Sequence, residues 1–379
     1  MIGVRPSLLG ALAAVAILAS ACGSDDKSSG ATASSSSADG GAAKTCIPTS
    51  PEKLAQWCSK GGKPKVVVIV GTTDHSFYTT LGAGATEEAK RLGIDVEVQG
   101  AKEFSPAAQA PVLNAVIQGK PDAIIIALTS PTALNPQLKR AAQAGIVVFT
   151  ADNDTSDEKL RWTNVGTDHV ASGKAAAATM AAAIKSAGKI AMLASTPGPL
   201  VERLRIQGFT DGLKSDTQLE PLPTEYCAGD PARCASSTSG LISANADLKG
   251  VFGVGEPMGV GAGNGVRSSH KQGKVIVGAF DASPAQQRDL RQGIVDALVV
   301  QRPKEIGGQA VNIAAQVLQG KKTISSTLLT SSVGLDALPP KVFSGFSMAV
   351  KNTSMCPAER SIDCGTADDP KISKWFYVG

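Results

Sequence analysis

The sequence predicts an α/β protein built from two doubly wound lobes, each around a parallel sheet. Its length of 379 residues, 42% of them hydrophobic, fits two domains of ordinary size with additional segments. Short apolar runs rich in β-branched residues alternate with helical segments, an order that requires parallel strands and right-handed crossovers. The alternation comes in two runs, and the second begins near residue 169. Two lobes of similar construction follow from these observations.

The first run begins at residues 65–70 with KVVVIV, an apolar segment typical of a strand buried on both faces. The helix after it is predicted to end near Gly93, because Lys90 and Arg91 occupy its last turn and glycine favours a helix stop. Further strands are predicted at 95–98, 122–128 and 146–150, and the helices at 80–92, 106–117 and 131–144.

The second run opens with a long alanine-rich helix. Its helices are predicted at 169–187, 199–214, 236–245, 257–272, 283–292 and 304–318, and its strands at 189–194, 220–224, 250–254, 274–278 and 296–300. In open α/β sheets, ligands bind beyond the carboxyl ends of the strands, where the strand order reverses. Two lobes that face each other would therefore present these strand ends to a shared cleft.

The N-terminus predicts export followed by attachment to a lipid. Arg5 precedes an apolar run at 8–21, which has the length of a signal-peptide core and is too short to span a bilayer. The run ends in LASAC, which resembles the lipobox of bacterial lipoproteins, so we expect cleavage after residue 21 and acylation of Cys22. Residues 22–44 then form a flexible Ser/Gly tether. The alternative is an ordinary secretory signal followed by an incidental cysteine.

The remaining six cysteines are expected to form disulfides, because an even number in an exported chain favours them. Several connectivities are possible, but each cysteine has one close neighbour in the sequence. We therefore expect the pairs Cys46–Cys58, Cys227–Cys234 and Cys356–Cys364. The first pair would make residues 45–62 a small collar before the first strand. A redox or metal role is disfavoured because no C-x-x-C motif is present.

Composition disfavours several classes of protein. The net charge of +4 is small, and Lys and Arg never occur in runs of more than two, which argues against nucleic-acid binding. The three histidines lack metal-ligand spacing, so neither a metal nor a cofactor is expected. The series Gly253, Gly255 and Gly259 is a loosened dinucleotide fingerprint, but Pro257 begins the following helix. An exported nicotinamide-dependent oxidoreductase is therefore a disfavoured alternative.

Polar and aromatic residues cluster where strands end and helices begin. The candidate ligand-binding residues are His75, Phe77, Tyr78, Asp152, Asn153, Arg203, Asp281 and Gln301. Carboxylates accept hydrogen bonds from hydroxyl groups, a guanidinium donates in a fork, and aromatic rings cover the apolar faces of a sugar. The set suits a polyhydroxylated ligand. The nearby Asp74, Asp154 and Glu256 could face solvent and are left out of the set.

From about residue 64 to residue 346 the chain resembles the ribose/galactose-type solute-binding proteins of sugar ABC importers. The matching segments include KVVVIVGTTDHSFYTTLGAGATEEAKRLG, NVGTDHVASGKAAA, VERLRIQGFTDGL and VIVGAFDASPAQQRDLRQG. The resemblance implies a type I periplasmic-binding-protein fold with a three-segment hinge, near 166–168, 300–301 and after 329. Its implied parts are a first lobe of 63–167 and 301–330 and a second lobe of 168–300 and 331–350. The C-terminal extension of 351–379 lies beyond the resemblance, and we expect its apolar segment WFY at 375–377 to dock on the protein's own body, the alternative being the permease.

The resemblance also implies roles for single residues. Phe77 and Tyr78 would stack on the ligand, and His75 stands where the family often has Asn or Asp. Asp152 and Asp281 would accept sugar hydroxyls. Arg203 would supply the guanidinium of the ligand site, and Gln301 would supply an amide near the hinge.

Three departures from the ribose pattern concern the ligand. Ala127 and Gly255 stand where asparagine is common, and Asn153 stands where ribose binders have arginine. Each missing partner would forfeit about 1–3 kcal/mol. We therefore expect a hexose, a cyclitol or an amino sugar and not ribose.

The function implied is that of an extracytoplasmic lipoprotein, anchored to the bacterial cell membrane, that captures a sugar or polyol for an ABC permease. We expect it to be a monomer and not an enzyme. The alternative is a lipoprotein sensor that presents its closed form to a membrane signalling receptor. A transcription regulator of this fold would need a helix-turn-helix before residue 60, where the sequence has a signal, a tether and a cysteine pair.

Overall fold

The computed structural model describes residues 64–214, 218–318, 341–357 and 362–377. The chain divides into two units, Met1–Lys44 and Thr45–Gly379, and every described residue belongs to the second. The predicted signal peptide, Cys22 with its tether, and the collar with the Cys46–Cys58 pair lie outside the described residues. Within those residues, no helix combines the length and the apolar character that crossing a bilayer requires.

Helices and strands alternate along most of the chain. Up to residue 167 the elements are β1 (Lys65–Val70), α1 (Ser76–Leu92), β2 (Asp95–Gly100), α2 (Pro106–Gln118), β3 (Ala123–Ile126), α3 (Asn135–Gln143), β4 (Val147–Ala151) and β5 (Asn164–Thr167). From residue 169 to residue 318 they are α4 (His169–Ile184), β6 (Gly188–Ala194), α5 (Leu200–Leu213), β7 (Leu219–Pro221), β8 (Glu225–Tyr226), α6 (Pro231–Ala244), β9 (Leu248–Gly253), α7 (Glu256–Ser268), β10 (Ile276–Phe280), α8 (Pro284–Arg291), β11 (Ala297–Gln301) and α9 (Pro303–Leu318). The last described elements are β12 (Lys341–Ser344), β13 (Phe346–Val350), β14 (Asp363–Thr366) and α10 (Pro370–Ser373).

The first lobe is built on a parallel sheet in the order β12-β5-β4-β3-β1-β2. Alternate side chains of β1 point to opposite faces. Val66 and Val68 pack in the cluster that includes α1 and α9, whereas Val67 and Ile69 pack in the cluster that includes α2 and α3. Burial on both faces explains why β1 is a continuous apolar run. Because the sheet is parallel, the carboxyl ends of its strands share one edge.

The second lobe is built on a sheet in the order β14-β13-β11-β10-β9-β6-β7, with β8 also pairing with β6. All pairs are parallel except β11 with β13. The disulfide Cys227–Cys234, expected from the sequence, joins the segment after β8 to helix α6, and both cysteines are buried. The fold class predicted from the sequence, two parallel-sheet α/β lobes, is confirmed.

The chain passes between the sheets after β5, after β11 and between β12 and β13. The third passage corrects the predicted boundary, which placed residues 331–350 in the second lobe. Strand β12 pairs with β5 of the first sheet, and Val342 is buried there, so the crossing falls at Gly345. A short edge strand of this kind has too few residues to reveal its partner by apolar pattern alone.

The C-terminal extension continues the second sheet. Strand β14 pairs with β13, and the expected disulfide Cys356–Cys364 bridges the segment between them. The guanidinium of Arg302 lies 4.3 Å from the ring centre of Trp375, and Ile372 is buried. The extension therefore docks on the protein itself, which is the arrangement that the sequence favoured over docking on a partner.

Candidate ligand-binding cleft

Two aspartates mark corresponding positions in the two lobes. Asp152 directly follows β4 in the first lobe, and Asp281 directly follows β10 in the second. Both have left-handed backbones, with φ of 61° and 77°, and both are buried. A non-glycine residue held in this region costs about 1–3 kcal/mol, and such residues concentrate at functional sites. The backbone therefore gives both carboxylates a specific orientation at the strand ends.

The Asp152 carboxylate accepts hydrogen bonds from two side chains of its own lobe. The Tyr78 hydroxyl donates to Oδ2 at 3.0 Å, and the Asn153 amide donates to the same oxygen at 2.9 Å. Burial raises the pKa of Asp152 to about 6, although the attraction of Arg205 opposes the shift. Burial and the neighbouring Asp152 charge together hold the pKa of Tyr78 well above its usual value, so this phenol stays a donor.

The Asp281 carboxylate is surrounded by donors from three parts of the chain. Its Oδ1 accepts from Gln301 Nε2 at 2.6 Å and from the Tyr377 hydroxyl at 3.0 Å, and its Oδ2 accepts from the Glu256 backbone N–H at 3.2 Å. Gln301 in turn accepts from the Thr167 hydroxyl at 2.8 Å. Because Thr167 ends β5 and Gln301 ends β11, this bond joins two of the crossings and ties the hinge to the site.

The cation that faces the cleft is Arg205, which corrects the prediction of Arg203. Arg203 is exposed on helix α5, whereas Arg205 is buried two residues later. The Arg205 guanidinium donates to the carbonyl of Val254 at 2.8 Å and lies 4.0 Å from the ring centre of Phe280. The apolar pattern contains the signal for this assignment, since Arg205 shares the buried face of α5 with Phe209, four residues on.

Arg205 is also held by a neutral histidine. Its Nε donates to Nδ1 of His169 at 3.3 Å. Burial and then the charge of Arg205 keep the pKa of His169 well below its usual value, so that this ring can accept the bond. His169 is the first residue of α4, directly after the first crossing. The guanidinium is thus positioned by a residue at the hinge.

Aromatic rings and one contact between a histidine and a carboxylate span the cleft. Phe77 lies edge-on to Tyr78 at 5.1 Å and to Tyr377 at 5.6 Å between ring centres. His75 Nε2 lies 3.1 Å from a carboxylate oxygen of Glu256. His75 and Phe77 belong to the first lobe, whereas Glu256 and Tyr377 belong to the second, so both contacts join the lobes across the cleft.

His75 also begins helix α1, which starts at Ser76 and not near residue 80 as predicted. Its Nδ1 accepts the backbone N–H of Phe77 at 3.2 Å, so the ring acts as the N-cap. Since Nδ1 accepts, the ring proton lies on Nε2 and is directed at Glu256. Phe77 and Tyr78 are consequently in the first helical turn and not in a loop, which fixes their rings against the sheet.

The structure brings together all of the predicted site residues except Arg203. The residues it adds are Arg205, Glu256, His169, Tyr377 and Phe104, whose ring stacks on Tyr78 with 6.0 Å between centres. Glu256 was considered in the sequence and left out, and Tyr377 was noted only as part of an apolar C-terminal segment. Within the part of the chain that the structure describes, no cluster of three His, Cys, Asp or Glu side chains is arranged to hold a metal ion.

Fold and site together define a two-lobed, hinged binding protein whose ligand groups meet at the strand ends of both sheets. The sequence profile of the periplasmic binding protein domain matches residues 66–322. The chain belongs to this family of periplasmic binding proteins.

Individual relatives and solved structures agree with the family assignment. The ribose import binding protein of Bacillus subtilis is 28% identical over 289 residues, covering 75% of this chain and 93% of the relative. A solute-binding protein of an ABC transporter from Agrobacterium vitis, bound with α-D-tagatopyranose, is similar in structure with a TM-score of 0.72. It is 31% identical, and the match covers 84% of this chain and 100% of the other. A carbohydrate transporter solute-binding protein from Agrobacterium radiobacter, in complex with D-arabinose, has a TM-score of 0.69 and 26% identity, with coverage of 83% and 99%.

Proposed function

We propose that this protein captures a sugar or polyol between its lobes outside the cytoplasm and delivers it unchanged to an ABC importer. The observation that carries the proposal is that Asp152 and Asp281, one buried carboxylate from each lobe, lie near enough for their charges to interact with each other and for Asp152 to interact with Arg205. Paired carboxylates with a forked donor match vicinal hydroxyl groups. The transporter relatives with tagatose and arabinose bound support a monosaccharide ligand and an importer as the partner.

The charges of the cleft favour a neutral or weakly cationic ligand. The carboxylates of Asp152, Asp281 and Glu256 contribute to the cleft, and the pKa of buried Asp152 is raised in part by the charge of Asp281. An additional anion in this site would meet more repulsion than attraction from Arg205. The amide Asn153 already donates to Asp152 and offers no further positive charge. We propose a hexose, a cyclitol or an amino sugar as the ligand and a sugar acid as a poor one.

Capture would proceed by closure of the lobes on the ligand. A ligand that contacts Asp152 in one lobe and Asp281 in the other binds the closed form better than the open form, so it shifts the population toward closure. Gln301 would couple ligand binding at Asp281 to the hinge, because its side chain is hydrogen-bonded to both Asp281 and Thr167. The ligand then leaves unchanged when the lobes separate at the permease.

The N-terminal segment supports attachment to the membrane as part of the same proposal. Cys22 follows an apolar run and small residues, and the tether behind it would hold the binding lobes away from the bilayer. Labelling of producing cells with a radioactive fatty acid is expected to mark the wild-type protein and not Cys22→Ala. A Cys356→Ser variant serves as the control and should still be labelled, because it removes one cysteine of the Cys356–Cys364 disulfide and leaves Cys22 in place.

The binding proposal is tested by a thermal-shift screen of pentoses, hexoses, cyclitols, amino sugars and sugar acids, followed by calorimetry on the hits. We expect micromolar or tighter binding of a neutral or amino sugar, and recovery of that sugar unaltered by mass spectrometry. Tight binding of sugar acids alone would contradict the proposed ligand class. Binding of no member of the panel, or conversion of a bound sugar into product, would overturn the proposed function.

A further inference from the structure

The C-terminal extension places a tyrosine in the candidate site from beyond the matched family domain. That domain ends at residue 322, and Tyr377 lies more than fifty residues later. Its side chain is nevertheless among the most buried of the extension, at 3% exposure, and it contacts candidate ligand groups of both lobes. The extension therefore adds a feature to the cleft that the domain match does not contain.

Tyr377 is held in place by its backbone as well as by its side chain. Its N–H donates to the carbonyl of Ala282 at 3.3 Å, and its carbonyl accepts from Gln287 Nε2 at 3.3 Å. Two residues earlier, Trp375 lies beneath the guanidinium of Arg302. Strand β14 and the Cys356–Cys364 disulfide fix the beginning of the same segment to the second sheet. The tyrosine is consequently positioned as firmly as a residue of the lobe itself.

The Tyr377 side chain occupies part of the hydrogen-bonding capacity of Asp281. An ionised carboxylate has about four acceptor positions. In Asp281 three of these are taken, by Gln301, the Tyr377 hydroxyl and the backbone N–H of Glu256. One acceptor position is left for a ligand hydroxyl, on the oxygen that the Glu256 N–H contacts. Without the phenol hydroxyl, Asp281 could accept from two ligand hydroxyls.

We propose that Tyr377 is a specificity-determining residue of the sugar site, an inference that rests on the proposed function. Its hydroxyl restricts Asp281 to a single ligand hydroxyl, and its ring, edge-on to Phe77, closes the cleft on the side of the extension. The ligand selected is a sugar or polyol that presents one hydroxyl to Asp281 and an apolar edge to the two rings.

The test compares Tyr377→Phe and Tyr377→Ala with wild type in calorimetry, using the best sugar of the screen and its monodeoxy analogues. Tyr226→Phe is the matched control, because Tyr226 lies in the same lobe and is 45% exposed on β8. Tyr377→Phe frees an acceptor position for a second ligand hydroxyl. We expect the preference for the parent sugar over one monodeoxy analogue to increase at least fivefold. Tyr377→Ala also removes the ring and should weaken every sugar at least tenfold.

The possible outcomes separate this inference from the function on which it rests. If wild type binds no sugar, the proposed function and the inference both fail. If wild type binds but both Tyr377 variants keep its affinities and its selectivity, the inference alone fails. Uniformly tighter binding by both variants would also overturn it, because the tyrosine would then occupy the place of the ligand. A purely structural role of Tyr377 would lower the melting temperature of Tyr377→Phe without changing its preference for the parent sugar over the monodeoxy analogues. That result would also overturn the inference.

Discussion

Replacement of Arg205 by methionine is expected to destabilise the protein strongly, whereas the same replacement of Arg203 is not. Arg205→Met removes the donor to the Val254 carbonyl and the cation from the face of Phe280. A hydrogen bond to a charged group contributes about 1.5–3 kcal/mol, and a desolvated cation–π contact contributes about 2 kcal/mol. Methionine recovers part of the packing, and loss of a buried charge relieves some desolvation. We expect the free energy of unfolding to fall by about 2–4 kcal/mol.

Urea unfolding followed by circular dichroism measures this difference, provided that the slopes of the variants agree. Arg203→Met is the control on the same helix, and its exposed side chain predicts a change within about 0.5 kcal/mol. Removal of Arg205 should also raise the pKa of Asp152 above its value of about 6, because the guanidinium is the largest of the charges that lower it. Carbon-13 NMR of the aspartate carboxyls reports that change. Equal stability of the two variants would refute the assignment of Arg205 as the buried cation of the cleft.

Three further predictions concern the acid, the cap and the extension. Asp152→Asn should abolish sugar binding yet raise the free energy of unfolding at pH 7.5 by up to roughly 3 kcal/mol, because burial lifts the folded-state pKa from 3.8 to about 6. Because the folded-state pKa is raised, the wild-type protein loses stability as pH rises from about 4 to about 6. The excess in free energy of unfolding of Asp152→Asn over wild type, measured by urea unfolding, should therefore shrink steadily below pH 6. His75→Asn keeps an N-cap for helix α1, so the free energy of unfolding should stay within about 0.5 kcal/mol of wild type. The shorter asparagine side chain cannot reach Glu256, so the contact between the lobes is lost. Small-angle scattering should then show a more open ligand-free protein, and an unchanged profile would argue against this contact as a closing one. The double variant Cys356→Ser, Cys364→Ser should lose about 2–3 kcal/mol in urea unfolding and weaken sugar binding through Tyr377, whereas intact binding would separate the extension from the site.

Much of the lobe architecture could be predicted because local pattern and global fold agree. Strand β1 was predicted at its observed bounds, since the five consecutive β-branched residues after Lys65, buried on both faces, are typical of a central strand in a parallel sheet. Strand β5, with the sequence NVGT, was not predicted, because glycine and asparagine weaken its strand pattern. Its stability comes from pairing with β4 and β12, which only the tertiary structure supplies.

The site was predictable where residue type and strand ends coincide, and not where side-chain direction decides. Asp152 and Asp281 follow strands, so their location could be predicted without knowledge of their contacts. The choice between Arg203 and Arg205 depends on the face of one helix, and the spacing to Phe209 was the available signal. Tyr377 reaches Asp281 across 96 residues of sequence, and no local pattern indicates such a contact.

The contacts across the cleft bear on how tightly a ligand can bind. The contacts of His75 with Glu256 and of Phe77 with Tyr377 join the two lobes directly, so they stabilise the closed form. When the form that binds is only partly populated, the apparent affinity falls by that fraction. Contacts that favour closure reduce this loss, and more of the proposed interaction between sugar and carboxylates would then contribute to affinity. The same contacts slow the release of the ligand, because opening must break them together with the sugar contacts. In the proposed function, delivery would therefore need a partner that prefers the separated lobes, and the permease of an ABC importer would supply this preference by binding each lobe in its open position.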